Sequence, residues 1–226
     1  MSRSGASSES VEMYIKSVSE LGGDELPVPI GRVAERLGVS PVSANEMMKR
    51  LADQDLIDHQ PYKGVTLTGS GRELALSVIR RKRLWECFLI DYLRLDWAKA
   101  HDLACDLEHA TATEVENALA DFLGNPDLCP HGNPIPKRDG AISPVSAVPL
   151  STISVGKTGM VNSLVPEGSE ILSYLAEKNL KPGQEVTVID RAPLEGPLTL
   201  KVESEEIDLG LNLAALVLVD PTSPDN

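Results

Sequence analysis

Apolar residues recur at helical spacing from Glu9 to Leu21, with Val11, Tyr14, Ile15, Val18 and Leu21 on one side and Gly22-Gly23 ending the run. Glu12 and Met13 fall off that stripe, so packing alone does not explain them. From Ile30 to Leu56 the pattern predicts helix, turn, helix. Val33, Ala34 and Leu37 face inward on the first helix, and Gly38 closes it in a left-handed turn. Ser40-Pro41 opens the second helix as N-cap and N1 proline, and Met47, Met48 and Leu51 form its inner face. The outward residues at its start, Val42, Ser43, Asn45 and Glu46, are small or polar, as a helix laid into a major groove requires. Alternation over Leu56-Ile-Asp-His59 and Val65-Thr-Leu-Thr68, divided by Pro61-Tyr-Lys-Gly64, predicts a hairpin that would be the wing of a winged helix.

Beyond the hairpin a long helix is predicted from Gly71 to Leu93. It carries Arg80-Arg-Lys-Arg83, a run that reads as a solvated face, and then Leu84, Trp85, Phe88, Leu89, Tyr92 and Leu93. That apolar half is too broad for one neighbouring helix to cover, so part of it is expected to be a homodimer surface. A helix over Trp97–Ala110 follows, then another opened by Thr113-Glu-Val-Glu116 as a capping box and ended by Gly124. A linker spans Pro144 to Pro149. Strand patterns at Val186–Ile189, Leu198–Val202 and Leu216–Val219, with one helix near Ser169–Leu175, predict a small barrel. The expected fold is mainly α with a small β domain. Its expected parts are a DNA-binding domain at 1–76, a helical domain at 77–142, a linker at 143–150 and a barrel at 151–226.

Composition narrows the class. At 24% charged and 42% hydrophobic residues the chain is ordinary for a globular protein, with no apolar run of membrane-spanning length and no signal-peptide core at its start. A cytoplasmic location is expected, with the three cysteines as thiols. The net charge of −13 argues against nucleic acid until its distribution is considered. Residues 1–83 hold 12 Lys and Arg against 11 Asp and Glu, whereas the rest holds 9 against 23, so only the first part can approach a phosphate backbone. Arg32, Arg36, Lys49, Arg50 and Lys63 lie on the elements that would do so.

Candidate chemistry gathers in His101-Asp-Leu-Ala-Cys105-Asp-Leu-Glu108-His109, where residues four apart on a helix share a face. A cysteine on an amphipathic helix is often just a small hydrophobe. Leu103, Ala104 and Leu107 already supply an apolar stripe here, however, so the Cys/His face is free to serve as a metal site. His101 and His109 would lie about 12 Å apart along the axis, too far for one ion with bonds of about 2 Å. Two centres are therefore expected: Cys105, Glu108 and His109 at one, and His101 with other partners at the second. Cys129-Pro-His131 reads as a structural turn.

This window, with Glu12-Met-Tyr-Ile15, the segment from Ile30 through Arg83, and Gly132-Asn-Pro-Ile-Pro136, resembles the diphtheria toxin repressor and iron-dependent regulator family. The match is close up to that last segment and looser beyond it. The resemblance implies a winged helix-turn-helix, a helical metal-binding and dimerisation domain, and a C-terminal SH3-like domain of the ferrous-transport accessory (FeoA) type. It implies that Met13 joins Cys105, Glu108 and His109 at the principal site. It also implies that Ser40, Pro41, Ser43 and Glu46 face the groove, with Glu46 standing where the best-known members have glutamine. The family's ancillary site would use Glu86, His101 and two groups from the barrel, for which Glu167 and Glu170 are nominated, plus a histidine where this chain has Lys82. An ammonium has no lone pair for a metal, so Lys82 is expected to pair with Glu86 and bridge it to the barrel.

The function implied is a metal-activated homodimeric repressor that binds double-stranded operator DNA. Cys105 and Met13 are soft ligands, which favours Fe(II), with Mn(II) second and Ni(II) or Co(II) as tighter surrogates in vitro. Two other classes stay open: a metalloenzyme using Glu108 beside His109, and a metal-independent winged-helix regulator in which the stripe merely packs.

Overall fold

The computed structural model describes residues 9–60, 62–165 and 168–221, which form two compact units. One runs up to Lys82 and takes in Glu108–Thr111 and Pro136–Ala141. The other comprises Arg83–Leu107, Ala112–Ile135 and the chain from Ile142 onward.

The first unit is built from α1 (Glu9–Glu20), α2 (Ile30–Leu37), α3 (Pro41–Asp53), β1 (Ile57–Gln60), β2 (Gly64–Leu67) and most of α4 (Gly69–Cys87). Ile15, Val18, Val33, Met48, Leu51, Ile57 and Val65 are buried together, so truncating Met48 or Leu51 to alanine would cost about 2–5 kcal/mol. The turn between α2 and α3 is set locally: Gly38 adopts φ 64°, and the Ser40 hydroxyl caps α3 by accepting from Ser43 N at 3.0 Å. The hairpin β1–β2 runs in antiparallel register from Ile57↔Leu67 to Gln60↔Gly64. Gly64 is required there, because at φ 129° a Cβ would lie 2.1 Å from the Val28 carbonyl oxygen. Pro61 lies outside the described residues, while Tyr62 at the tip is fully exposed.

The long helix departs from expectation twice. After Cys87 it widens into a π-helical turn over Phe88–Tyr92, with Leu93 N bonded to Phe88 O at 3.2 Å. The basic run is also not a solvated face. Arg80 is 5% exposed and donates to the Pro136 carbonyl at 2.6 Å, and Arg83 donates to the Pro134 carbonyl. The Asn-Pro-Ile-Pro segment cannot form a regular ladder because its prolines lack donors, so guanidinium groups satisfy its carbonyls instead.

In the second unit, α5 (Trp97–Ala110, shared at its C-terminal end with the first unit) precedes α6 (Thr113–Phe122). The capping box fails by one residue: Ala112 is the N-cap and Thr113 is already helical, so its hydroxyl lies inside the turn that it would have to close. Phe88, Tyr92 and Phe122 form an aromatic cluster, Tyr92 and Phe122 being 4.9 Å apart; those two and Leu93 are exposed.

The C-terminal part contains β3 (Val148–Pro149), β4 (Thr158–Leu164), α7 (Ser169–Glu177), β5 (Glu185–Arg191), β6 (Leu198–Val202), β7 (Glu205–Leu209), α8 (Leu211–Ala214) and β8 (Val217–Pro221). The six strands form one antiparallel sheet in the order β3-β8-β4-β5-β6-β7. Val148 pairs with Val219, so the C-terminal end of the expected linker belongs to the sheet. Leu164, Leu172, Leu175, Val186, Leu198 and Leu200 are buried at its core, and Trp97 and Ala98 at the start of α5 pack against the same cluster. Among the described residues, no helix is long and apolar enough to cross a membrane.

Candidate metal centres

The two ends of α5 carry different chemistry. At its C-terminal end Glu108 is fully buried and Lys16 of α1 bonds to its Oε1. His109 Nε2 lies 3.2 Å from that same oxygen, and Glu108 Oε2 is buried without a hydrogen-bond partner. Burial pushes the Glu108 carboxyl above the ordinary range, against the opposing pull of Lys16, Lys82 and His109. The other imidazole nitrogen, Nδ1, is 2.7 Å from Glu12 Oε2 on α1. Arg81 donates to Glu12 Oε1 at 3.1 Å and approaches the Thr111 carbonyl at 3.4 Å. An unsatisfied carboxylate oxygen and an imidazole nitrogen facing one carboxylate are donors that fit a divalent cation.

The predicted residues fall out unevenly here. Glu108 and His109 are brought together. Cys105 is a half-buried thiol one turn earlier on α5, and the Met13 side chain is 38% exposed on α1. The α1 side chain bonded to His109 is Glu12, whose placement off the apolar stripe was the only signal in the sequence.

At the other end, His101 Nδ1 is 3.1 Å from Glu86 Oε1, and His131 Nδ1 is 3.4 Å from Glu86 Oε2. Cys129 completes a buried triad in which one ligand atom each of Glu86, Cys129 and His131 lies within 4.8 Å of the others. Burial, followed by the Glu86 charge, pushes the Cys129 thiol up to about 12, and His131 Nε2 has no hydrogen-bond partner. The Trp97 ring stands edge-on to His131 at 4.9 Å, with Lys181 5.4 Å above it.

The turn that reads as structural in the sequence thus also brings Cys129 and His131 to the Glu86 carboxylate. The turn is held in place by the C-terminal sheet. Leu164 N donates to His131 O at 2.9 Å, Asn133 donates to Leu164 O at 2.6 Å, and Gly132 at φ 82° passes so close that a Cβ would meet Asn162 O at 2.0 Å. No periodicity could have shown that this turn meets Glu86, because the two are joined through tertiary structure.

The Lys82 ammonium lies 3.9 Å from Glu20 on α1, and the Glu86 carboxylate faces two imidazoles. Glu170 is exposed in the first turn of α7, and Glu167 lies outside the described residues.

On the winged helix, Arg32, Ser40, Pro41, Val42, Ser43, Glu46, Lys49, Arg50 and Lys63 are exposed and Asn45 is half-buried. Arg36 is not available with them, being paired with Glu20. That pairing helps hold Glu20 below the ordinary carboxylate range: burial pushes it up, but Lys82, Arg36 and Lys16 together pull it down.

Comparison with known proteins assigns each part. Residues 7–65 match the family described as iron dependent repressor, N-terminal DNA binding domain. Residues 68–137 match iron dependent repressor, metal binding and dimerisation domain, and 148–221 match the FeoA domain. The iron-dependent repressor IdeR of Mycobacterium leprae is 27% identical over 94% of this chain and 97% of its own. A solved manganese-dependent transcriptional repressor in complex with manganese superposes with a TM-score of 0.85 at 33% identity, covering 94% of this chain and all of that one. The diphtheria toxin repressor of Corynebacterium glutamicum is 30% identical over 94% of this chain and 96% of its own; with those three domain matches, this chain belongs to the diphtheria toxin repressor family, a family of metal-dependent transcriptional repressors rather than enzymes.

Proposed function

We propose that this protein is a repressor activated by Fe(II), acting in the cytoplasm as a homodimer on double-stranded operator DNA. The observation that carries the reading is the pairing of buried Glu108 and His109 at the end of α5, with one carboxylate oxygen lacking any partner. Cys105 on the same helix and Met13 on α1 complete the proposed principal set. The metal supplies a positive charge that binds ligands of both helices at once. Glu108 and His109 supply the buried end of the site, and Met13 supplies the end on α1, which shares its core with α2 and α3. Fixing α1 thereby fixes the helix-turn-helix, so DNA affinity follows metal concentration, and operator DNA must tighten metal binding by the same factor.

A second ion is proposed at Glu86, Cys129 and His131, with His101 bonded to the shared carboxylate. Ser40, Pro41, Ser43, Asn45 and Glu46 are proposed to face base edges, and Arg32, Lys49 and Lys63 the phosphates. The exposed aromatics Tyr92 and Phe122 are proposed as part of the homodimer surface.

Mn(II) is the second reading, favoured by the likeness to a solved manganese-dependent repressor. The soft Cys105 and Met13 donors favour iron. Anaerobic purification followed by metal analysis decides between them: stoichiometric iron supports the first reading and stoichiometric manganese the second. DNA binding that survives complete chelation overturns both.

A further inference from the structure

Glu12 and Met13 are neighbours on α1, and a helix turns successive side chains by about 100°. They therefore cannot play the same part. Glu12 is 6% exposed, with both its oxygens engaged: Oε2 lies 2.7 Å from His109 Nδ1 and Oε1 accepts from Arg81 at 3.1 Å. Burying a carboxylate is costly unless it is paired and hydrogen-bonded, and nothing in the apolar stripe of α1 calls for one here.

The direction of the bond to His109 has a consequence at the far side of the ring. An ionised carboxylate only accepts, so the hydrogen belongs to Nδ1; in a neutral imidazole Nε2 is then the lone-pair nitrogen. Nε2 is the atom that lies 3.2 Å from Glu108 Oε1. Histidines that bind metals almost always donate their other N–H to a carboxylate, carbonyl or water, which fixes both tautomer and ring plane. We propose that Glu12 is a positioning residue for the metal site: it holds His109 in the Nδ1–H form so that Nε2, together with Glu108, is presented to a divalent cation, while Arg81 holds Glu12. This rests on the metal-binding reading of Glu108 and His109. It gives α1 a second role there, orienting a ligand of α5 as well as contributing Met13.

The test uses the full-length chain in Glu12→Met, which keeps bulk but removes the acceptor, and in Glu12→Gln, whose amide oxygen is a weaker acceptor. Long-range proton–nitrogen spectra of metal-free protein labelled at histidine report the tautomer, with His109 assigned by its loss in His109→Gln. Co(II) affinity is measured by competition with a chromophoric chelator. The wild type is expected in the Nδ1–H form. Glu12→Met is expected to lose that form and to bind Co(II) about 10–100-fold more weakly. Glu12→Gln is expected to show a mixture of tautomers and a several-fold loss, and it decides the matter if Glu12→Met does not fold. A purely structural role, as counter-ion to Arg81, would leave the tautomer unmoved. Unchanged tautomer or unchanged affinity in folded Glu12→Gln overturns the positioning role alone. A wild type that binds no Co(II) overturns the metal reading and this role with it.

Discussion

The cluster at Glu108 and the cluster at Glu86 both bury a carboxylate beside histidine, yet different kinds of element bring the histidine to it. At the first, basic side chains stand against the carboxylates: Lys16 on Glu108, Arg81 on Glu12, and Lys82 and Arg36 on Glu20. At the second, the imidazoles of His101 and His131 face Glu86, with a thiol beside them. On the proposed reading, a dication at the first would meet the ammonium of Lys16 that already ties α1 to α5. One at the second would meet ligands on a turn bonded to β4. On that reading, filling the first would exchange contacts between elements, as a sensor needs, whereas filling the second would fasten an existing contact.

The largest expected effect breaks the first centre. Cys105→Ala or His109→Ala should reduce metal-dependent operator affinity at least 100-fold, a loss of about 2.7 kcal/mol or more, with helical content by circular dichroism unchanged. Wild-type titration curves in a gel-shift or anisotropy assay would remove the assignment.

The second centre is tested by His131→Ala, which should take Co(II) stoichiometry from two equivalents per chain to one and leave the tighter metal-dependent DNA response in place. Loss of the DNA response at saturating metal would make the two centres one functional unit and end the contrast drawn above.

A spectroscopic measurement sharpens the same comparison. In a Trp85→Phe background the remaining indole, Trp97, stands 4.9 Å from His131, so a paramagnetic ion filling the second centre should quench its fluorescence by more than half. His131→Ala should abolish most of that quenching, and equal quenching in both proteins would put the ion elsewhere.

The smallest effect is electrostatic. Glu20 has its folded carboxyl below the ordinary value, so its stabilising contribution is complete above the ordinary carboxylate range and is lost as pH falls through the lowered value. Glu20→Gln should cost about 1 kcal/mol at neutral pH, with the gap in melting temperature closing in acid. A gap that widens on acidification would contradict the sign.

What could be read from the sequence depended on whether the information was local. The helix-turn-helix was legible because Gly38, Ser40 and Pro41 act on their own neighbours, and α5 because its chemistry repeats every four residues. Three strands were missed: the short β3 inside the expected linker, and two longer ones for opposite reasons. In β4, Gly159 and Asn162 break the β pattern; in β7, acidic residues line an edge strand where Glu206 faces Lys201 across the pair. The meeting of Cys129 and His131 with Glu86, and of Lys82 with Glu20, depends on how distant segments pack, and no residue near any of them encodes it.

The arginine clamp on the Asn-Pro-Ile-Pro segment bears on the order in which the chain folds. Arg80 bonds to Pro136 and Arg83 to Pro134, partners 56 and 51 residues away. Neither carbonyl has a local ladder to join, so each waits for a guanidinium presented by α4. Closing a loop that long is entropically slow, whereas α4 can form from contacts within its own turns. Helix formation should therefore precede capture of the segment, and Arg80→Met should slow refolding more than it speeds unfolding if the clamp closes before the transition state.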